Sequence, residues 1–431
     1  MGDDRDMSRS SPPAEAAGRE QLSFAALRHP DCRAYLLYAA VAMMADNIEH
    51  VISYWIIFQK FHSPALAGFA VLTHWLPFLL FSIFSGALAD RFDPRRIIQV
   101  GMVMFMTVSI AWGVLFATDS LEQWHAGVLL VTHGMAGVLW GPASQLLIHD
   151  IVGPAHLQSA IRLSSTSRQL GVLMGPAIGG VLLLTLGSAN GIFLNALFYL
   201  PLIYWLWKAP YGPRFRQGEG PRRARMRGFA DIISTFRAIA GNSTIVSMVI
   251  LAGGASLFVG NAHQAQMPEF ANDLGFGDTG LYYSVLLAGN AGGALIAGII
   301  LESRSLLPAK PQTAMVLVML WCLAIGGFAM TGSYPLAVAA LFVAGFLNLS
   351  YNSMAQTLVQ LHAPHEIRGR VIGLYAMAGN GLKAFSGITV GFGGALIGVH
   401  WSLGLSATAL LAAMVALMWF TERTTVKQGT G

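Results

Sequence analysis

Residues 35–58 read YLLYAAVAMMADNIEHVISYWIIF, an apolar run interrupted at its centre by Asp46, Asn47, Glu49 and His50. A run of this length can cross a bilayer as a helix, which takes about 20 residues. Each ionisable group at the centre of such a helix costs roughly 2.5–3.5 kcal/mol on insertion scales. Three of them within a turn and a half would be costly against lipid. They are tolerable where the face looks into a wet cavity or meets partners on other helices, and such groups read by default as part of a substrate or proton pathway. Asp46 and His50 are four apart and Asp46 and Glu49 three apart, so all three share one helical face. Counted from Arg33 at about 1.5 Å per residue, Asp46 lies roughly 20 Å along the helix, near the midplane.

The rest of the chain has the same character. Of 431 residues 55% are hydrophobic and only 11% charged, against about 25% charged in a soluble domain. This predicts a polytopic membrane protein. The first 30 residues are polar, lack an apolar h-region and read as a disordered tail, not a cleaved signal. Cys32 and Cys322 give neither a disulfide framework nor metal-knuckle spacing.

Hydropathy windows predict twelve spans, at about 33–59, 65–89, 97–117, 125–148, 168–187, 190–208, 244–266, 279–302, 312–331, 335–360, 371–397 and 400–420. Of the 26 Lys and Arg, all but Lys60 and Lys383 fall in the tails or in loops following even-numbered spans. By the positive-inside rule both termini are cytoplasmic. The expected division is a tail at 1–30, a six-helix bundle at 31–208, a basic linker with an amphipathic segment at 209–243, a second six-helix bundle at 244–421 and a tail at 422–431. The basic linker reads as a surface near anionic lipid, not as a nucleic-acid site.

The halves repeat. Asn47-Ile48-Glu49-His50 matches Asn261-Ala262-His263-Gln264 at an offset of 214; Asp90 closing span two matches Glu302 closing span eight at 212; Gly153-Pro154 matches Ala363-Pro364 at 210. Parallel halves related by an axis along the membrane normal fit alternating access, with a site between them near the midplane.

These residues also carry a family resemblance. Gly86-Ala87-Leu88-Ala89-Asp90-Arg91-Phe92-Asp93-Pro94-Arg95-Arg96 resembles the signature loop between spans two and three of the major facilitator superfamily, with Asp93-Pro94 where a second Gly is usual. Gly171 through Gly180, with Gly175-Pro176 and Gly179-Gly180, resembles the Gly-Pro-x-x-Gly-Gly signature associated with antiporters. The arginine usual on span four of proton-coupled drug antiporters has no counterpart in 131–148. Gly137 through Ala143, Gly153 through Ala160 and Glu366 through Val371 resemble the enterobactin-exporter-like, or transmembrane secretion effector, branch. The resemblance covers about 33–420. It implies an all-α fold of twelve transmembrane helices in two pseudo-symmetric six-helix bundles, and a bacterial inner-membrane exporter of small organic molecules such as siderophores or macrolides. It also implies that spans one, four, seven and ten line the cavity.

Within that frame Asp46 and Glu49 are candidates for exchanging a proton, tuned by His50 and Lys383, or else members of a structural polar network. Two close carboxylates in a poorly hydrated cavity do not both ionise easily, and a nearby His can share the proton. Lys383, about 13 residues into span eleven, needs a counter-charge or water; Asp46 or Glu49 across the cavity, an anionic substrate, or a structural role are the alternatives. Asn47, His74, His133, Trp140, Asn261, His263, Gln264, Asn348 and Asn352 are candidate substrate contacts, although amides serve equally as interhelical glue. His74 and His133 could join His50, Asp46 and Glu49 in a nitrogen–oxygen site for a divalent metal; the primary expectation is no metal and no cofactor. Gly86, Asp90, Arg91 and Arg95 are expected to latch the cytoplasmic side, Asp90 meeting free N–H groups at the start of span eleven. Gly171, Gly175, Pro176, Gly179 and Gly180 are expected to allow close helix packing.

The expected function is proton-coupled export of a small amphipathic molecule by a monomer in the inner membrane. Divalent-metal efflux and a non-transporting receptor or scaffold are the alternatives. No Gly-x-Ser-x-Gly elbow, His-Glu-x-x-His pair or phosphate-binding Lys loop occurs, so neither an intramembrane enzyme nor ATP-driven transport is expected.

Overall fold

The computed structural model describes residues 24–61, 64–212, 229–260, 262–265, 267–275, 280–304, 309–386, 390 and 393–429, and every regular element among them is helical. The chain opens with a short 3-10 turn, Ala25–Arg28, and continues through α1 (Pro30–Phe61), α2 (Pro64–Arg91), α3 (Pro94–Ala117), α4 (Gln123–Leu197), α5 (Leu200–Lys208), α6 (Phe229–Ile239) and α7 (Ser243–Phe258). Then come α8 (Ala262–Ala265), α9 (Met267–Asp273), α10 (Gly280–Arg304), α11 (Pro311–Met330) and α12 (Tyr334–His362). Finally α13 (Arg368–Ala376), a π segment (Met377–Gly381), α14 (Lys383–Ser386), α15 (Gly393–Ile397) and α16 (Val399–Gly429) complete the chain. Among the described residues six helical stretches are long and apolar enough to cross a membrane. At 32 and 28 residues, α1 and α2 have the length as well.

Local chemistry places the starts. Asp93 caps α3 by accepting the Arg95 N–H at 3.0 Å, with Pro94 in the first helical position, where its missing N–H costs nothing. Asn242 caps α7 by accepting the Ile245 N–H at 3.1 Å. The long α4 is three rods, broken at Gly153 (φ 67°) and Gly187 (φ 76°). Only glycine enters that left-handed region at little cost, so each glycine turns the chain without a loop.

The structure corrects three expected spans. The fifth begins not at 168 but directly after Gly153, which carries Arg168 deep into the helix. The seventh, expected at 244–266, stops at Phe258 and passes Gly260 (φ 46°) before the short α8. The eleventh, expected as one helix at 371–397, changes from α to π winding at Met377–Gly381 among the described residues.

The two largest apolar cores among the described residues follow the two halves of the sequence. One gathers Tyr35, Phe105, Leu147, Tyr199 and their neighbours; the other gathers Phe270, Trp321, Phe328 and Leu341. They exchange members where the halves touch: Ile372 of α13 packs in the first core and Ile83 of α2 in the second. That contact is close because of small residues. A Cβ on Gly86 would strike the Gly369 backbone, one on Gly373 the Ser82 carbonyl, and one on Gly381 the backbone of Leu79.

Candidate functional site

The side chains of α1 meet those of α2, α3 and α4 in a buried cluster. His133 of α4 stands between the two carboxylates: its Nδ1 lies 2.8 Å from Glu49 Oε1 and its Nε2 lies 2.9 Å from Asp46 Oδ1. The Nδ1 contact is a hydrogen bond. The Nε2 contact is close but misaligned for one, so it is an ion-pair approach with its hydrogen bond unmade. Ser109 of α3 donates its hydroxyl to Glu49 Oε2, and Asn195 donates to Ser109 Oγ at 3.3 Å. His50 Nδ1 donates to the Asp46 carbonyl one turn back at 2.7 Å. Asn47 turns its amide to the Met43 carbonyl at 2.8 Å. Asp46, Glu49 and His133 are 8%, 2% and 4% exposed, whereas His50 and His74 are only partly buried. The cluster therefore reaches accessible space through His50 and His74.

A neutral imidazole carries one N–H, yet His133 faces a carboxylate oxygen with each ring nitrogen. Either the ring is a cation or one carboxyl holds the second proton. One proton is thus shared among Asp46, His133 and Glu49.

The histidines also define a cation-sized space. Nitrogens of His50, His74 and His133 lie within 4.8 Å of one another, and His74 Nδ1 is buried without a hydrogen-bond partner. Three imidazoles with Asp46 alongside suit a borderline divalent cation. Binding one would require His133 to release a carboxylate.

Lys383, at the start of α14, meets neither carboxylate in this conformation. Its Nζ donates to Asn380 Oδ1 at 3.3 Å and lies 4.4 Å from the centre of the Trp75 ring. Trp75 in turn stands edge-on to His74, ring centres 4.6 Å apart. His263 is buried with its Nδ1 unpartnered, and Gln264 is partly buried. Asn261 lies outside the described residues. Asn348 and Asn352 bond chiefly along α12, Asn352 Nδ2 donating to the Asn348 carbonyl at 3.0 Å and Asn348 Nδ2 to Tyr351 at 3.2 Å. Trp140 packs into the first core, 9% exposed. Sequence reasoning missed Ser109, Asn195, Trp75 and Arg168. For Arg168 the overlooked signal was Gly153-Pro154, a helix start only fourteen residues upstream.

At the end of the molecule that carries Asp90, the halves are tied in two repeat-related places. Asp90 accepts the N–H groups of Gly369 at 2.5 Å and Arg370 at 2.9 Å. Glu302, its repeat partner, accepts from the Ser159 hydroxyl, and Arg162 donates to the Leu301 carbonyl at 2.8 Å. Gln360 to Gln145 (3.1 Å) and Arg368 to His149 (3.1 Å) add to them. Arg95 pairs within the first half, with Asp93 and the Ala209 carbonyl, and Arg91 lies over the Phe92 ring at 5.5 Å. Along the second rod of α4, Gly171, Gly175 and Gly179 lie against Met43, Asn47 and Ile48 of α1. A Cβ on Gly180 would meet nothing within 4 Å, and Pro176 is exposed.

Comparison with known proteins agrees with this architecture. The chain is 26% identical over 402 residues to the enterobactin exporter EntS of Shigella boydii serotype 4, covering 90% of this chain and 91% of that protein. The same identity and coverage hold for EntS of Escherichia coli O139:H28. Among solved structures, the human organic anion transporter MFSD10 superposes with a TM-score of 0.73 at 13% identity, covering 90% of this chain and 99% of that one. The major facilitator proton:xylose symporter XylE gives 0.70 at 15%, over 90% and 95%. A bacterial homologue of the iron transporter ferroportin in its outward-facing state gives 0.67 at 16%, over 91% and 99%. These likenesses show the fold; the chain is a transporter and not an enzyme. The family model described as transmembrane secretion effector matches residues 21–428, and the chain belongs to that family of major facilitator transporters.

Proposed function

We propose that this transporter exports a small siderophore-like organic molecule in exchange for protons. Two six-helix bundles rock about a central site in the inner membrane, with both termini in the cytoplasm. The observation that carries the coupling is the placement of His133 between Asp46 and Glu49. With one proton shared among three groups, arrival of another releases His133 from a carboxylate and loosens the α1–α4 contact. Departure of that proton restores the wedge. The ties of Asp90 and Glu302 fall on the side assigned to the cytoplasm, so this conformation is read as closed inward. Opening inward breaks them, and protonation of the cluster biases that step. The siderophore-like cargo follows from the exporter relatives.

The test is reconstitution. With enterobactin as probe, an imposed pH gradient should drive accumulation in wild-type proteoliposomes and not in Asp46→Asn. Wild-type transport indifferent to the gradient would remove proton coupling.

One observation favours a second cargo, a divalent transition-metal ion: the closeness of the His50, His74 and His133 nitrogens. It predicts uptake of Zn²⁺ or Ni²⁺ into wild-type proteoliposomes that is lost in His74→Ala. Family membership among exporters weighs against the receptor or scaffold reading.

A further inference from the structure

Glu49 of α1 is met by three other helical segments. Its Oε1 accepts from His133 Nδ1, in the first rod of α4, at 2.8 Å. Its Oε2 accepts from the Ser109 hydroxyl of α3. Ser109 Oγ in turn accepts from Asn195 Nδ2 at 3.3 Å, and Asn195 lies beyond Gly187 in the third rod of α4. Ser109 and Asn195 are fully buried.

The polarity of this chain of bonds is set by its chemistry. An amide nitrogen only donates, so Asn195 Nδ2 leaves the Ser109 proton for Glu49. The opposite amide orientation would set a carbonyl oxygen against a hydroxyl whose one proton is already given. A carboxylate that accepts on both oxygens has no place for a proton of its own, so the hydrogen between Glu49 and His133 belongs to Nδ1, whether the ring is neutral or a cation. Phe105 stands edge-to-face on the His133 ring, centres 4.7 Å apart, and Tyr199 stacks on Phe105 at 5.5 Å with planes 6° apart. These rings oppose a flip that would turn a carbon toward Glu49.

Asp46 is held differently. His133 Nε2 lies 2.9 Å from its Oδ1 with no hydrogen bond made. The contacts of Oδ2 are longer, 3.5 Å to Asn47 Nδ2 and 3.8 Å to His50 Nδ1. Asp46 is also 8% exposed against 2% for Glu49.

We infer that Asn195 and Ser109 are positioning residues for proton exchange: they hold Glu49 as a fixed acceptor and His133 Nδ1 as a fixed donor, and the shared proton moves only along the edge between Nε2 and Asp46. This rests on the coupling reading above and names the carboxylate released in it, Asp46 and not Glu49. A carboxylate behind a histidine, itself held by a further donor, is a general way to fix which ring nitrogen faces the reacting partner. Here residues outside the exchanging edge make that choice.

The test is the exchange of ring protons with solvent, read by nuclear magnetic resonance on the full chain in liposomes with its histidine rings labelled with nitrogen-15. The His133 signals are those missing from His133→Gln. In wild type the long-lived ring proton of His133 should sit on Nδ1. Ser109→Ala and Asn195→Leu should each exchange it at least about tenfold faster, as expected for loss of a hydrogen bond to a charged group. Ser109→Thr, which keeps the hydroxyl, should retain the slow rate. So should Ser85→Ala, which removes another buried serine, bonded to the Val138 carbonyl of the same rod at 2.9 Å. Melting curves confirm that the variants are folded. No long-lived proton on His133, one on Nε2, or an unchanged rate in either Ser109→Ala or Asn195→Leu would overturn the assignment. A fixed Nδ1 proton without gradient-driven transport would support the positioning chain while removing proton coupling. Gradient-driven transport with the long-lived proton on Nε2 would do the reverse.

Discussion

His133 Nδ1 of α4 and Glu49 Oε1 of α1 lie 2.8 Å apart in the interior of the first half. The pair joins two helices, α1 and α4, so its removal should lower stability. Replacing His133 by Ala leaves Asp46 and Glu49 buried and facing each other. Breaking a buried pair in this way costs about 3–5 kcal/mol. The double variant His133→Ala/Glu49→Gln should therefore be more stable than His133→Ala alone. Denaturation in detergent micelles measures both; a double variant less stable than the single one would show that the two side chains do not interact.

The glycines of α4 differ along one rod. A Cβ on Gly175 would collide with Asn47, whereas one on Gly180 meets nothing. Gly175→Val should destabilise by about 1–3 kcal/mol through overpacking. Gly180→Ala should stay within about 0.5 kcal/mol of wild type. Equal melting temperatures for the two variants would contradict the α1–α4 packing described.

Asp90 holds two backbone N–H groups at the start of α13. Losing a charged acceptor costs about 1.5–3 kcal/mol, so Asp90→Ala should raise the population opened at that end about tenfold or more. Ser82, fully buried beneath Gly373, reports it. Maleimide labelling of Ser82→Cys, with Cys32 and Cys322 replaced by Ala, should accelerate accordingly. An unchanged labelling rate would remove Asp90 from the closure.

In the turn between α3 and α4, Asp119 Oδ1 accepts from Lys60 at 2.6 Å, and Lys60 holds that carboxyl below the usual carboxylate range. A depressed acid stabilises the fold above its unfolded value, about 3.9, and loses that contribution as pH falls through the folded value. The wild type should thus melt slightly above Asp119→Asn at neutral pH, and the gap should close only below about pH 4. A gap that closes between pH 6 and 8 would point to another group.

The acidic groups of α1 were legible because charge inside an apolar run is conspicuous. Asp90 and the glycines Gly86, Gly171 and Gly175 were legible through their motifs. Arg168 was not, because the polar stretch Arg162 through Gln169 depresses hydropathy and places a span start after it. In the fold Gly153 turns the chain without a loop, so the helix has begun well before. The break after Phe258 and the π winding at Met377–Gly381 leave no hydropathy signal either. The surroundings of Lys383 depend on α2 approaching α14: a lone membrane lysine calls for a counter-charge, and an indole face and an amide satisfy that need only once the helices are packed.

The most direct test of the central claim compares two modes of transport in the same proteoliposomes, gradient-driven accumulation of enterobactin and its exchange at equal pH. With Asp46→Asn the shared proton is lost while the cavity remains. Exchange should then persist near the wild-type rate and gradient-driven accumulation should vanish. If Asp46→Asn accumulates enterobactin under the gradient as wild type does, the Asp46–His133–Glu49 cluster does not couple protons to transport.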